Sequence, residues 1–213
     1  MSTCENHIPK ELPKLRLDWC SAKAARWAVE HWHYSHKMPV NKLVKIGVWE
    51  DDKFVGVIIF GLGASAHIHY QFQVEQTEVC ELVRIALGEH KVPVSKMIPI
   101  AIRMLKKSNP GIRVIVSFAD PAEGHHGGIY QATNWIYTGM SLAVRQYFYN
   151  GDWRHATDVC KRLTRAQRSG LQRRIKPGKH RYVMPLDREM RKLVEASRKE
   201  YPKRTSVAIG GVE

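Results

Sequence analysis

The sequence predicts a mixed α/β fold: a central mixed sheet flanked by helices, with a basic insertion before the last strand. Three observations predict it. Two apolar runs at 44–49 and 54–60, joined by the acidic turn Glu50-Asp51-Asp52, read as an antiparallel hairpin. Further on, strand-like runs at 79–87 and 112–116 enclose a helical pattern, and a second helix is expected from about residue 128, a βαβα order that calls for parallel strands. At 213 residues, 44% hydrophobic and 25% charged, the chain suits one domain, 1–213, with a sizeable core, and is too apolar for wholesale disorder.

The first elements are short. Residues 15–19 alternate as a strand, and Ser21 can cap a helix from Ala22 to about His33 whose Ala, Trp and Val side chains share one side. Before the break at Pro39, His31, His33, Tyr34 and His36 crowd together, and a functional cluster and ordinary structural histidines are equally open readings. After the hairpin, Gly61-Leu62-Gly63-Ala64 ends a strand rather than forming a phosphate loop, because no helix start follows it. His67 and His69 would share one strand face, for which an exposed polar face is the commoner explanation than a metal.

In the run 79–87, alternation puts Glu81 and Arg84 on opposite faces, so Arg84 calls for another partner, Asp120 or an anionic ligand. Ser95 is the expected N-cap of a helix running to Lys107, its first turn facing a phosphate. A cofactor groove is expected where the sheet splays between 79–87 and 112–117.

The stretch 117–135, SFADPAEGHHGGIYQATNW, has the make-up of an active-site corner. Asp120 lies just past an apolar strand, at the carboxyl end where open α/β sheets bind ligands. Pro121 stops the strand, and Gly124, Gly127 and Gly128 bend the chain around His125 and His126 before a helix over 129–135. Beyond it come aromatic strand-like residues, a last strand at 180–186, a charged amphipathic helix over 187–201 and a frayed tail over 205–213.

The net charge of +14 points to a polyanion, and most of the excess lies between residues 153 and 181. Arg154, Lys161, Arg162, Arg165, Arg168, Arg173, Arg174, Lys176, Lys179 and Arg181 stand there against Asp158 alone. No amphipathic membrane anchor accompanies them, so nucleic acid is the expected partner. The part up to Gly170 has helical composition, which would project these cations along a phosphate backbone. Four cysteines, far apart and without a CxxC pair, imply reduced thiols rather than a zinc ribbon or disulfide framework. The first fourteen residues hold no apolar signal core, and no run approaches the roughly 20 apolar residues of a membrane span, so a soluble, cytoplasmic protein is expected.

From about Trp27 to Leu186 the chain resembles the Mom DNA-modification proteins of bacteriophages, distant relatives of the Gcn5-related N-acetyltransferases. The resemblance is carried by the order and spacing of His33-Tyr34, Glu81-Leu82-Val83-Arg84, Ser117-Phe118-Ala119-Asp120, Gly124-His125, Ile129-Tyr130-Gln131-Ala132, Asn134-Trp135 and Arg181-Tyr182-Val183. It implies a Gcn5-related fold and an enzyme that adds a carbamoylmethyl (methylcarbamoyl) group to adenine N6 in double-stranded DNA, shielding phage DNA from restriction. It implicates acetyl-CoA as a cofactor, and iron. By the family pattern Asp120, Tyr130, Arg84 and Ser95 would belong to the active centre, joined by Tyr34 and His33, with Ser95, Lys96 and Arg84 as the cofactor-binding candidates; His33, Tyr34 and Asp120 could instead form a metal site, since imidazole and hard oxygen ligands suit iron. The pyrophosphate loop of ordinary acyltransferases, Q/R-x-x-G-x-G/A, is incomplete: Arg84 is followed by Ile-Ala-Leu-Gly88-Glu-His, without the second glycine.

The residues suit that chemistry. An adenine N6 amine is a poor nucleophile, and Asp120 can accept its proton while Tyr130 donates to an acyl carbonyl or contacts the base. The adenine must be flipped out of the duplex, and one or two of Trp135, Tyr137, Tyr147, Phe148 and Tyr149 would receive it. Two other classes stay open: a conventional CoA-dependent N-acetyltransferase of a protein or small amine, and a non-catalytic DNA-binding module.

Overall fold

A computed structural model describes residues 12–40, 42–62 and 67–203, and the chain divides into two compact units, Met1–Arg113 and Val114–Glu213. Cys4 and the start of the segment read for a secretion signal, Gly63-Ala64 and the 205–213 tail lie outside the described residues.

The first unit is built on an antiparallel meander. Strand β1 (Leu15–Trp19) leads to helix α1 (Ala22–Trp32), which Ser21 caps by accepting from the Ala24 amide at 3.2 Å. Strands β2 (Leu43–Glu50) and β3 (Lys53–Gly61) form the expected hairpin, turning through Asp51 and Asp52 at φ 46° and 63°, and β4 (Val79–Leu87) pairs with β3. Ala25, Ala28 and Val29 of α1 pack on Val57, Ile59 and Ala86, a small-residue helix face against a β-branched sheet face. Helix α2 (Val94–Ser108) packs on β1 and β2 through Met97, Ile98, Ala101 and Leu105.

Two expectations in this unit need correction. His67 and His69 are not on a strand: Ile68 and Phe72, buried at i,i+4 spacing, wind a 3₁₀ turn, and Tyr70 packs its ring on both histidines. Ser95 is not the N-cap of α2, because Pro93 takes that position and the helix starts at Val94, which leaves Ser95 inside the first turn.

In the second unit β5 (Val114–Ala119) is followed by the single-turn helix α3 (Gly128–Gln131), not by the helix expected over 129–135. Asn134 at φ 59° takes the left-handed conformation that ends such a turn. Strand β6 (Ile136–Met140) follows, and β7 (Val144–Tyr149) and β8 (Asp152–His155) make a hairpin. The basic stretch then folds as α4 (Ala156–Arg162), α5 (Arg165–Ser169) and β9 (Arg173–Lys176), and β10 (His180–Pro185) closes the expected last strand before α6 (Arg188–Glu195). Strand β10 lies between β5 and β6, antiparallel to both, while β8, β7 and β9 form a separate three-stranded sheet with α4 on β7 and β8. The β10 register puts Tyr182 opposite Ser117 on one side and Tyr137 on the other, a row that Tyr130 and Trp135 cover.

Candidate functional site

The second unit organises its chemistry around Asp120, the first residue past β5. Its Oδ1 accepts from the Ala122 amide at 3.1 Å and its carbonyl accepts from the Glu123 and His125 amides, so the side chain and backbone both cap the Pro121–Glu123 turn. Oδ2 accepts from Lys176 Nζ at 2.9 Å and lies 3.2 Å from Lys179 Nζ. The residue is only 2% exposed. Burial alone would raise the carboxyl, but the Lys176 hydrogen bond, the charge and hydrogen bond of Lys179 and the Ala122 amide outweigh it and hold it below its ordinary value.

The β10 register explains Lys179: His180 sits opposite Ala119, and extending the ladder by one residue brings Lys179 to Asp120. The sequence suggests Arg84 as the partner of Asp120; within its own unit the carboxylate is held by two lysines expected to bind DNA.

The turn over 124–128 is fixed by packing. Tyr182 Oη donates to the His126 carbonyl at 2.6 Å and accepts from Gln131 Nε2 at 3.0 Å. Gly127 has φ 84°, and a Cβ there would run into the Tyr182 ring, so only glycine fits. Tyr130 accepts from Ser117 Oγ at 2.7 Å inside the aromatic row. Tyr130 is 7% exposed there.

The ten cations of 153–181 divide by partner. Lys161, Arg162, Arg165, Arg173 and Arg174 are exposed, as phosphate contacts require. Arg154 and Arg162 lie 3.8 and 3.3 Å from Asp158. Arg168 donates to the Leu163 carbonyl at 2.7 Å, and Arg181 Nε donates to Thr138 Oγ1 at 2.8 Å. Lys176 and Lys179 serve Asp120. Of the aromatics expected to receive a base, Trp135 and Tyr137 are buried in the row, while Phe148 is 41% exposed.

The first unit gathers its own candidates after α1. His33 Nδ1 accepts from the Ser35 amide at 3.1 Å and sits 2.8 Å from Ser35 Oγ, which leaves its N–H on Nε2. Tyr34 stacks on that ring at 4.3 Å and is 43% exposed. Arg84 donates from one terminal nitrogen to the Val83 carbonyl at 2.7 Å and from the other to the Lys37 carbonyl at 3.4 Å, tying β4 to the same turn. Among the described residues its Nε is buried without a hydrogen-bond partner.

Sequence reasoning missed Glu50. It ends β2 in phase with the buried Ile46 and Val48, is 7% exposed, and its carboxylate accepts from the Lys91 amide at 3.0 and 2.9 Å and from the Val92 amide at 2.7 Å. The alternation of 46, 48 and 50 was the signal for it. Two amides of the loop before α2 are thereby occupied by the protein's own anion. Among the described residues no side chain caps α2, whose first turn carries Ser95 and the exposed Lys96.

Two of the three residues expected to hold iron, His33 and Asp120, are engaged by the protein's own groups. Among the described residues no group of three or more His, Cys, Asp and Glu side chains could hold a metal ion. The His33 Nδ1 lone pair is used by Ser35 and the Asp120 carboxylate by two ammonium groups. Cys80 is no alternative nucleophile, since burial and then neighbouring Glu81 push its thiol up to about 12.

Residues 14–203 match the Mom protein family. The chain is 25% identical over 191 residues to the methylcarbamoylase mom of Escherichia phage Mu, covering 84% of this chain and 78% of that one. Among solved structures, aminoglycoside acetyltransferase AAC(6′)-Ib in complex with coenzyme A and kanamycin superposes with a TM-score of 0.50 at 7% identity, over 85% of this chain and 99% of that chain. An N-acyl amino acid synthase from uncultured soil microbes gives a TM-score of 0.48 at 12% identity, over 85% and 94%. The acetyltransferase likeness is one of fold, the mixed α/β Gcn5-related fold that the family resemblance implies. Among the described residues no helix is long and apolar enough to cross a membrane.

Proposed function

The chain belongs to the Mom protein family, and on that premise we propose that it adds a carbamoylmethyl (methylcarbamoyl) group to adenine N6 in double-stranded DNA, shielding phage DNA from host restriction enzymes. The name of its phage Mu relative supports the group transferred, and the charge of the 153–181 stretch supports the polymer. The observation that carries the reading is Asp120, a carboxylate kept ionised at a strand end by two cations of that same stretch.

The N6 lone pair is delocalised into the purine, so the amine becomes nucleophilic as its proton leaves. Asp120 takes that proton as N6 bonds to the donor carbon and that carbon's bond to its leaving group breaks. An oxygen shared by two lysines is a weak acceptor, so a lysine must move aside first. DNA phosphates offer Lys176 and Lys179 the alternative partner that frees it. Tyr130, buried under Tyr182, positions Ser117 and the corner rather than touching the base. Tyr34, exposed and stacked on His33, is available to the substrate in its own unit.

Ser95, Lys96 and the Arg84 guanidinium would hold the anionic groups of acetyl-CoA, which would contribute carbon to the transferred group, its amide nitrogen and the oxidation of its methyl carbon coming from a further co-reactant. No step is routed through iron. A conventional N-acetyltransferase of a protein or small amine is favoured by fold alone. Asp120→Asn and Arg84→Ala should abolish the modification of plasmid adenine and leave duplex binding intact. Variants that modify DNA at the parent rate would overturn the assignment of these residues.

A further inference from the structure

The β7–β8 hairpin carries a feature that phosphate binding does not require. Asn150 and Gly151 at φ 53° and 76° make the tight two-residue turn that locks hairpin register. Next to that turn, Phe148 and Trp153 are directly opposed and meet edge to face at 5.5 Å. From β9, Arg174 donates to Gln146 Oε1 at 2.9 Å and lays its guanidinium over the Trp153 ring at 4.3 Å. Gln146, Phe148, Trp153 and Arg174 therefore share one sheet face.

That face ends in two flat groups, the Arg174 guanidinium backed by an indole and the exposed Phe148 ring. The guanidinium is held over the indole from one side by Gln146, and the Phe148 ring beside it is 41% exposed, so both present surface to solvent on the same face. Arg173 and Arg145, both exposed, alternate onto the opposite face of the same sheet, so both sides of it carry positive charge. Flat apolar and guanidinium surfaces within a basic field match unpaired nucleobases, which stack on such planes while their phosphates meet the cations.

We propose that the Phe148–Arg174 face is a stacking platform for unpaired bases, holding the strand opened when a nucleotide leaves the duplex. This rests on the DNA-modifying reading for its substrate, but it concerns binding and needs neither donor nor turnover.

The test is an anisotropy titration of the full chain with a labelled paired duplex, the same duplex with one looped-out adenine, and a single strand. The parent should favour the two DNAs with unpaired bases. Phe148→Ala should lose that preference by about fivefold to a hundredfold, one stacked base's worth, with duplex affinity unchanged. Arg174→Lys separates stacking from charge: it keeps the cation, removes the plane, and should also lose the preference. The exposed Phe148→Leu variant controls for folding and should behave like Phe148→Ala. Equal affinity of the parent for all three DNAs, or retention of the preference in Phe148→Ala and Arg174→Lys, would overturn the proposal. Adenine modification is assayed separately by nucleoside mass, so either idea can fail without the other.

Discussion

Lys176 donates to Asp120 at 2.9 Å across 56 residues of sequence, so a cation of the basic stretch is part of the strand-end corner. The pair is asymmetric in what its loss leaves behind. Asp120 is buried, whereas the Lys176 and Lys179 side chains are 29% and 39% exposed and can turn to water.

Removing both lysines should therefore cost more than removing the carboxylate. Lys176→Ala with Lys179→Ala strands a buried charge and should destabilise the protein by about 3–5 kcal/mol at neutral pH. Adding Asp120→Asn to that double variant should restore most of the loss. Urea unfolding checks the order, and equal costs for the anion and the cations would contradict it.

Acid should act through two groups of opposite kind. The Asp120 carboxyl sits below its ordinary 3.8 in the folded state, so its stabilisation is present above that value and is lost as pH falls through the lower folded value. His180 is also lowered, by burial and then by the charge of His126, and its Nδ1 pairs with Tyr137 Oη at 3.0 Å. The unfolded imidazole then binds protons more readily, so stability starts to fall as pH drops below the ordinary 6.5. Thermal melts across pH should show both limbs, with His180→Gln flattening the upper and Asp120→Asn the lower.

Glu50→Ala should destabilise by about 1–3 kcal/mol, because it leaves the Lys91 and Val92 amides without their acceptor. Glu50→Gln keeps one acceptor oxygen and should recover part of the loss. Hydrogen exchange of those two amides reports it directly: both should be protected in the parent and exchange quickly in Glu50→Ala.

Salt titrations should separate the exposed cations from the committed ones. Arg165→Gln or Arg173→Gln should each reduce the salt slope of duplex binding by about 0.9 if the residue meets one phosphate. Arg181→Ala should leave the slope unchanged and lower stability, since its guanidinium is held by Thr138.

Local pattern made much of the fold legible. The Ser21 cap, the 43–61 hairpin, the β4 strand and Asp120 at the end of β5 all follow from side-chain period and breakers, and the structure has them. What was hidden depends on partners distant in sequence. The tie between Asp120 and Lys176 requires the antiparallel register of β10 on β5, which no local window contains. The α3 helix stops after one turn because Asn134 turns left-handed and Trp135 is drawn into the core. The basic stretch reads as helix by composition up to Gly170, where α4 and α5 form, whereas the pairing of Arg173–Lys176 with β7 beyond it is a tertiary contact that no local window shows. Glu50 was readable but masked by the two acids beside it, whose turn conformation gave all three the look of a surface loop.

The central claim is tested most directly by digesting plasmid co-expressed with this protein to nucleosides and weighing them. The account predicts deoxyadenosine heavier by one carbamoylmethyl group, absent from DNA of cells carrying Asp120→Asn. Unmodified deoxyadenosine from cells that accumulate the folded parent protein would contradict it.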